Sequence, residues 1–188
     1  MRVMVAEDET LIRLDLHELL QGAGFEVCAA ARDGEEAVEL ARSERPDLAI
    51  LDVKMPRLDG IDAARRILDE RPIPIVILTA FGQDDLVARA IEAGVFAYLV
   101  KPFREQDLLT AIQTARARFA DFQAVREEAD SLAEALEARK AIERAKGILM
   151  EKEGLTEHEA FVRLRTASQT SGRTMKVIAE ALVQAFEV

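Results

Sequence analysis

The sequence predicts an α/β fold, a doubly wound five-stranded parallel sheet of order 2-1-3-4-5, followed by a helical linker and an all-α three-helix domain. Three observations predict it. Four apolar runs, Met4-Val5-Ala6-Glu7-Asp8, Leu48-Ala49-Ile50-Leu51-Asp52, Ile75-Val76-Ile77-Leu78-Thr79 and Ala97-Tyr98-Leu99-Val100-Lys101-Pro102, each stop on an acid, a hydroxyl or a lysine. Helical stretches alternate with them, as in a parallel sheet covered on both faces. Beyond Arg139 the strand pattern gives way to helical periodicity alone.

In order along the chain, strands are expected near residues 2–6, 25–31, 47–52, 74–79 and 96–100, and helices near 10–22, 34–44, 60–70, 84–93 and from 105 onward. Gly24, Gly34, Gly60 and Gly94 fall in or beside the connections, as helix stops and turn formers. Short loops in repeated strand–helix units imply right-handed crossovers. The order 2-1-3-4-5 makes strands 1 and 3 neighbours and brings Asp8 beside Asp52. Ligands in such sheets bind outside the carboxyl ends of the strands, so Glu7, Asp8, Asp52, Thr79 and Lys101 are expected to converge there. Three carboxylates, a hydroxyl and an ammonium suit a divalent metal and a phosphoryl group. The chemistry needs a nucleophilic carboxylate, a cation against the incoming charge, and donors for the phosphoryl oxygens.

From Glu105 to Glu137 there is no Gly or Pro. Apolar residues recur at Leu108, Ile112, Ala115, Phe119 and Phe122, then at Val125, Ala129, Leu132 and Leu136, two heptad seams separated by an extra three-residue step. The first seam is expected to pack on the sheet. The second is expected to protrude and pair with a second copy, the alternative being a helix folded back on its own C-terminal domain. Three further helices follow. The first spans about 139–153 and is stopped by Gly154. The second opens on the capping box Thr156-Glu157-His158-Glu159, with Leu155 and Ala160 placed as a staple. The third starts near Thr174.

On a helical wheel Ala141, Ile142, Ala145, Ile148 and Leu149 form the core arc of the first of these helices. Arg139, Lys140, Arg144, Lys146 and Gly147 lie outside it. A mid-helix glycine among cations is read either as allowing close approach of a phosphate, a base or a backbone, or as a helix-packing notch. In the second helix Ala160, Phe161, Leu164 and Ala167 form the expected buried stripe, with Arg163 and Arg165 outside. Arg173 and Lys176 flank the start of the third.

Charge is unevenly spread over the 188 residues, whose net charge is −10. Residues 1–138 carry 16 Lys+Arg against 28 Asp+Glu, whereas 139–181 carry 9 against 6. A mildly basic module on an acidic carrier permits nucleic-acid binding through the module alone. No apolar run approaches the ~20 residues of a membrane helix, and Met1-Arg2-Val3 runs directly into a strand pattern, leaving no room for a signal peptide. The single cysteine, Cys28, reads as a structural thiol in a reducing compartment, so a cytoplasmic location is expected.

The motifs Glu7-Asp8, Asp52 with Met55-Pro56, Asp59-Gly60, Thr79-Ala80, Tyr98 and Lys101-Pro102-Phe103, in that order over about residues 1–120, resemble the flavodoxin-like receiver domain of bacterial two-component response regulators. The resemblance implies that Asp52 accepts a phosphoryl group from a sensor histidine kinase. It implies Mg²⁺ on Asp8, Asp52 and the backbone carbonyl of Lys54, with Glu7 assisting, and Lys101 and Thr79 in contact with the phosphoryl group. Thr79 and Tyr98 would form the switch, and Lys101–Pro102 a cis peptide. Lys54 and Phe81, two residues beyond Asp52 and Thr79, would tune hydrolysis of the phosphorylated state.

The run Arg139 to Met150, then Thr156 through Phe161 to Leu164-Arg165, then Val177-Ile178-Ala179, resembles the ANTAR domain, the RNA-binding output of AmiR- and NasR-type antitermination regulators. The whole layout resembles the PdtaR-type regulators. This implies a receiver at 1–120, a helical or coiled-coil linker at 121–138 continuous with the last receiver helix, and an ANTAR-like three-helix domain at 139–188. It further implies binding of hairpins in nascent mRNA, transcription antitermination and a homodimer when phosphorylated. Arg139, Lys140, Arg144, Lys146, Gly147, Arg165, Arg173 and Lys176 are the candidate RNA contacts. With no Tyr or Trp after residue 98, base stacking would fall to Phe161 or to arginine planes. No membrane partner, no small-molecule substrate and no enzymatic activity beyond the receiver's own phosphoryl transfer and dephosphorylation are expected. The alternatives are a phosphorylation-dependent protein-docking module and a DNA-binding response regulator, for which the last helix offers only Lys176 and Gln184 as base readers.

Overall fold

A computed structural model describes residues 1–80 and 89–186. The elements run β1 (Arg2–Ala6), α1 (Thr10–Gly22), β2 (Glu26–Ala31), α2 (Gly34–Glu44), β3 (Leu48–Asp52), α3 (Gly60–Glu70) and β4 (Ile75–Ala80). Then come α4, helical over 89–92 as far as it is described, β5 (Ala97–Lys101), α5 (Glu105–Glu153), α6 (Glu157–Ser171) and α7 (Met175–Phe186). Phe81 and the start of the helix expected near 84–93 lie outside the described residues. The chain forms two compact units, Met1–Gln123 and Ala124–Val188.

The five strands form one parallel sheet of order β2-β1-β3-β4-β5, the order the sequence predicts. The register places Ala6 beside Leu51, Asp52 beside Leu78 and Ala80 beside Lys101, so the polar ends of neighbouring strands lie at one edge. β3 is buried at every position, and its apolar run lacks alternation because helices cover both faces. Side chains still divide by the two-residue period. Met4, Ala6, Ala49, Leu51, Ile75 and Ile77 share one core with residues of α2 and α3. Val3, Val5, Leu48, Ile50, Val76 and Leu78 share the other with Leu16 and Leu20 of α1 and Leu108, Ile112 and Ala115 of α5.

Gly34 and Gly60 are the first residues of α2 and α3 rather than turn formers. The caps before them are Asp33 and Asp59, whose carboxylates accept from Glu36 N–H, and from Ile61 and Asp62 N–H. Gly60 has a further reason to be glycine. A Cβ there would lie 1.9 Å from the Asp52 carbonyl oxygen, while its N–H donates to the Val53 carbonyl at 2.9 Å.

α5 corrects one expectation: no helix starts at 139, because α5 runs unbroken from Glu105 to Glu153. The change of pattern near Arg139 alters which face is buried, but no Gly, Pro or cap residue interrupts the backbone there. The helix ends where Gly154 takes φ +70. Within the first unit, Phe119 and Phe122 meet Phe96 edge-on, at centroid distances of 5.3 and 5.8 Å. Beyond them Val125, Leu132 and Leu136 are 67%, 65% and 53% exposed, so the second seam is uncovered in the single chain.

In the second unit Ala145, Leu149, Ala160, Leu164, Ala179 and Val183 form a buried three-helix core. Thr156 and Glu159 close the capping box reciprocally, with the Thr156 N–H donating to the Glu159 carboxylate at 2.8 Å. Phe161, expected in the buried stripe, is 37% exposed. The stripe instead follows Ala160 and Leu164, four residues apart, and Phe161 stands about 100° round from Ala160.

Candidate functional site

β1, β3 and β5 deliver the site. Glu7 and Asp8 directly follow β1, Asp52 ends β3, and Lys101 ends β5. Glu7 is fully buried and Asp52 nearly so, while Asp8 faces solvent. Carboxylate oxygens of the three lie within 4.8 Å of one another. The Lys101 ammonium donates to Glu7 Oε2 at 2.6 Å and stands 2.9 Å from Asp52 Oδ1. The Lys101–Pro102 peptide is cis.

Burial raises the carboxyl pKa values of Glu7 and Asp52 above their ordinary range. Each is opposed by Lys101 and reinforced by a like charge, Asp52 acting on Glu7 and Asp8 on Asp52. For Lys101 burial works to lower the pKa, but the two carboxylates outweigh it and the ammonium is held more firmly. The shifts agree once charges are counted: one cation serves three anions, which leaves the cluster at net −2. Hard oxygen donors, excess negative charge and one solvent-facing carboxylate fit a hydrated divalent cation such as Mg²⁺.

A stability prediction follows from those directions. A carboxyl with a raised folded-state pKa binds protons more readily in the fold, so its ionised form detracts from stability once pH exceeds that pKa. Asp52→Asn should therefore stabilise the metal-free protein at neutral pH, on the order of 1 kcal/mol. It should also weaken the additional stabilisation that Mg²⁺ gives. Thermal unfolding in EDTA and in excess Mg²⁺ checks both; a lower melting temperature in EDTA would contradict the charge count.

The other receiver residues are placed as follows. Thr79 is buried next to the end of β4, and its hydroxyl donates to the Ala80 carbonyl at 3.3 Å. Tyr98 is 51% exposed and lines a surface hollow with Thr110 and Arg118 of α5. The Lys54 side chain is exposed, and its backbone amide works, as the smallest of several influences, to hold the Asp52 carboxyl pKa down. Sequence reasoning missed Arg13, which donates to the Glu7 carbonyl at 2.5 Å and steadies the loop carrying Glu7 and Asp8. It also missed Arg89, which bonds Asp59 at 3.0 Å beside the start of α3. Neither belongs to a local motif, and only the packed backbone brings them in.

In the helical unit the eight candidate RNA contacts do not form one class. Arg139, Lys140, Arg144, Gly147, Arg165 and Arg173 are exposed, and Lys176 is half-buried near Glu180. Lys140 and Arg144 line a cleft of about 340 Å³ with Gln184 of α7. Lys146 departs from its expected exposed position: it is 6% exposed and bonds Glu143 at 3.0 Å and Glu157 at 2.6 Å. Its stem covers the helix contact while its charge ties α5 to the start of α6. Gly147 stands in open space, with nothing within 4 Å of an added Cβ, so no packing notch among the described residues accounts for it.

Comparison with known proteins agrees with both halves. Residues 3–113 match the response regulator receiver domain family, and residues 130–183 match the ANTAR domain family. The transcriptional regulatory protein PdtaR of Mycobacterium tuberculosis is 53% identical over 183 residues, covering 97% of this chain and 89% of its own. The signal receiver domain of a modulated diguanylate cyclase from Desulfovibrio desulfuricans superposes with TM-score 0.59 at 31% identity, over 63% of this chain and 95% of that one. A Borrelia burgdorferi CheX–CheY–BeF₃–Mg²⁺ complex contributes a chain with TM-score 0.57 at 26% identity, covering 60% of this chain and 86% of that one. Among the described residues no helix is long and apolar enough to cross a membrane. With each unit matched to its own family and one relative similar along nearly the whole length, the chain belongs to the response regulators that carry an N-terminal receiver domain and a C-terminal ANTAR domain.

Proposed function

We propose that Asp52 accepts a phosphoryl group from the phosphohistidine of a sensor histidine kinase, and that its state controls binding of hairpin RNA by residues 139–188, causing transcription antitermination. The observation that carries the reading is a nearly buried Asp52 carboxylate, 2.9 Å from an ammonium and flanked by two more carboxylates at a strand-end cleft. An Asp52 oxygen attacks phosphorus, the phosphorus–nitrogen bond breaks, and the imidazole leaves with its electron pair and takes up a proton. Lys101, already directed at Asp52, supplies charge to a phosphoryl oxygen. Thr79 supplies a hydroxyl, and its displacement toward the phosphoryl group would vacate the space that lets Tyr98 turn inward. Mg²⁺, held by Asp8, Asp52 and the Lys54 carbonyl with Glu7 assisting, would neutralise charge on the transferring group. The magnesium-containing CheY complex supports this assignment.

On the output side, Arg139, Arg165 and Arg173 are exposed and have no ion-pair partner among the described residues, so they lose least on meeting phosphate. Dimerisation through the uncovered Val125–Leu136 seam would present two modules to paired hairpins and raise their joint affinity through effective concentration. Treatment with a small phosphoryl donor and Mg²⁺ tests the acceptor: intact-mass analysis should show one phosphoryl group on the wild type and none on Asp52→Ala. Phosphorylation of Asp52→Ala to the same extent would refute it. Gly147→Ala should stabilise the helix by about 1 kcal/mol and weaken RNA binding, because the methyl group fills open space on the basic face. Unchanged RNA affinity in that variant would remove Gly147 from the interface.

A further inference from the structure

α2 ends at Glu44 just before β3, and α3 ends at Glu70 just before β4, so both helices finish at the sheet edge opposite Asp52. Between their ends lies a cavity of about 160 Å³, floored by Ile67 and Ile73 and walled by Arg42, Arg45, Glu70 and Arg71. Arg42 is committed to Glu70: its Nε donates to Oε2 at 2.9 Å, and Nη2 donates to the other oxygen. Arg71 is not so engaged. Its Nη1 is closed off from solvent and has no hydrogen-bond partner among the described residues, a costly state for a charged donor. The Arg45 guanidinium has no partner among the described residues. Arg45 occupies the αL C-cap of α2 at φ 50, where glycine is the usual residue.

Three arginines and one glutamate give the walls a net charge of +2 on a chain whose total is −10. The carbonyl ends of two helices disfavour an anion here, but each contributes only about half a charge, against two whole unpaired guanidiniums. We propose that this cavity binds a small oxyanion, a carboxylate or phosphate group, held by Arg71 from within and Arg45 at the side. A guanidinium presents paired N–H groups that match two oxygens of such a group. The hollow has room for a group the size of phosphate or acetate.

The test is thermal unfolding of the full chain in EDTA, titrated with sodium phosphate, sodium acetate or sodium chloride at matched ionic strength. The proposal expects a saturable rise with phosphate or acetate beyond chloride, and the tighter of the two identifies the ligand as phosphoryl or carboxylate. Arg71→Gln and Arg45→Gln should each weaken that midpoint at least tenfold, whereas Asp52→Asn should leave it unchanged. If Arg71→Gln fails to fold, Arg45→Gln decides. No saturable effect beyond chloride, an effect retained in the arginine variants, or one lost in Asp52→Asn would overturn the proposal.

Discussion

Lys101→Met should destabilise the first unit by roughly 2 kcal/mol and abolish accumulation of the phosphorylated protein. Glu7 is fully buried and its carboxylate leans on the Lys101 ammonium at 2.6 Å; without it the carboxylate faces Asp52 with no counter-charge. Removing one partner of a buried pair costs about 3–5 kcal/mol. The lower figure applies because the Lys101 side chain is 19% exposed and water reaches the cleft. The loss should also depend on pH in a definite direction. Without Lys101 the raised carboxyl pKa of Glu7 climbs further, so the deficit is full above that pKa and shrinks as pH falls through it and the acid takes up a proton. Adding Glu7→Gln should restore most of the stability but none of the phosphoryl transfer. Chemical denaturation at neutral and mildly acidic pH, beside intact-mass analysis after phosphoryl-donor treatment, separates the two effects. Equal destabilisation at both pH values would contradict the account.

Gly60→Ala should destabilise by about 2–3 kcal/mol and sharply reduce phosphorylation, although the residue carries no functional group. Its Cβ would sit 1.9 Å from the Asp52 carbonyl oxygen and 2.8 Å from the carbonyl carbon, contacts that backbone must move to relieve. Any such movement shifts the end of β3 and therefore the acceptor relative to Lys101. Gly147→Ala is the internal control, since that glycine has open space around it and should gain stability. Calorimetry of both variants with Mg²⁺ titration checks the contrast; comparable stability changes would show that the close approach at Gly60 is not a constraint.

Much of the fold was legible because four of the five strands announce themselves twice, by an apolar run and by the polar residue that ends or directly follows it, β2 being the exception. The order β2-β1-β3-β4-β5 and the gathering of Glu7, Asp8, Asp52 and Lys101 follow from those runs and from crossover geometry alone. What was not legible depends on distance through space. Arg13 reaches the Glu7 carbonyl across a loop, Arg89 reaches Asp59 from another helix, and the closeness of Gly60 to Asp52 is a backbone contact with no side-chain signature. Lys146 shows the limit of a helical wheel: one helix seen alone placed it among exposed cations, but Glu157 of the next helix engages it. The start of a separate helix at Arg139 was misread because burial changes there while the backbone does not.

The central claim is that charge gained at Asp52 alters how residues 139–188 meet RNA. The affinity of the full chain for a two-hairpin RNA, measured with and without a phosphoryl donor and Mg²⁺, in wild type and Asp52→Ala, tests it most directly. The account predicts tighter, salt-sensitive binding only in the phosphorylated wild type; equal affinity across all four conditions would contradict it.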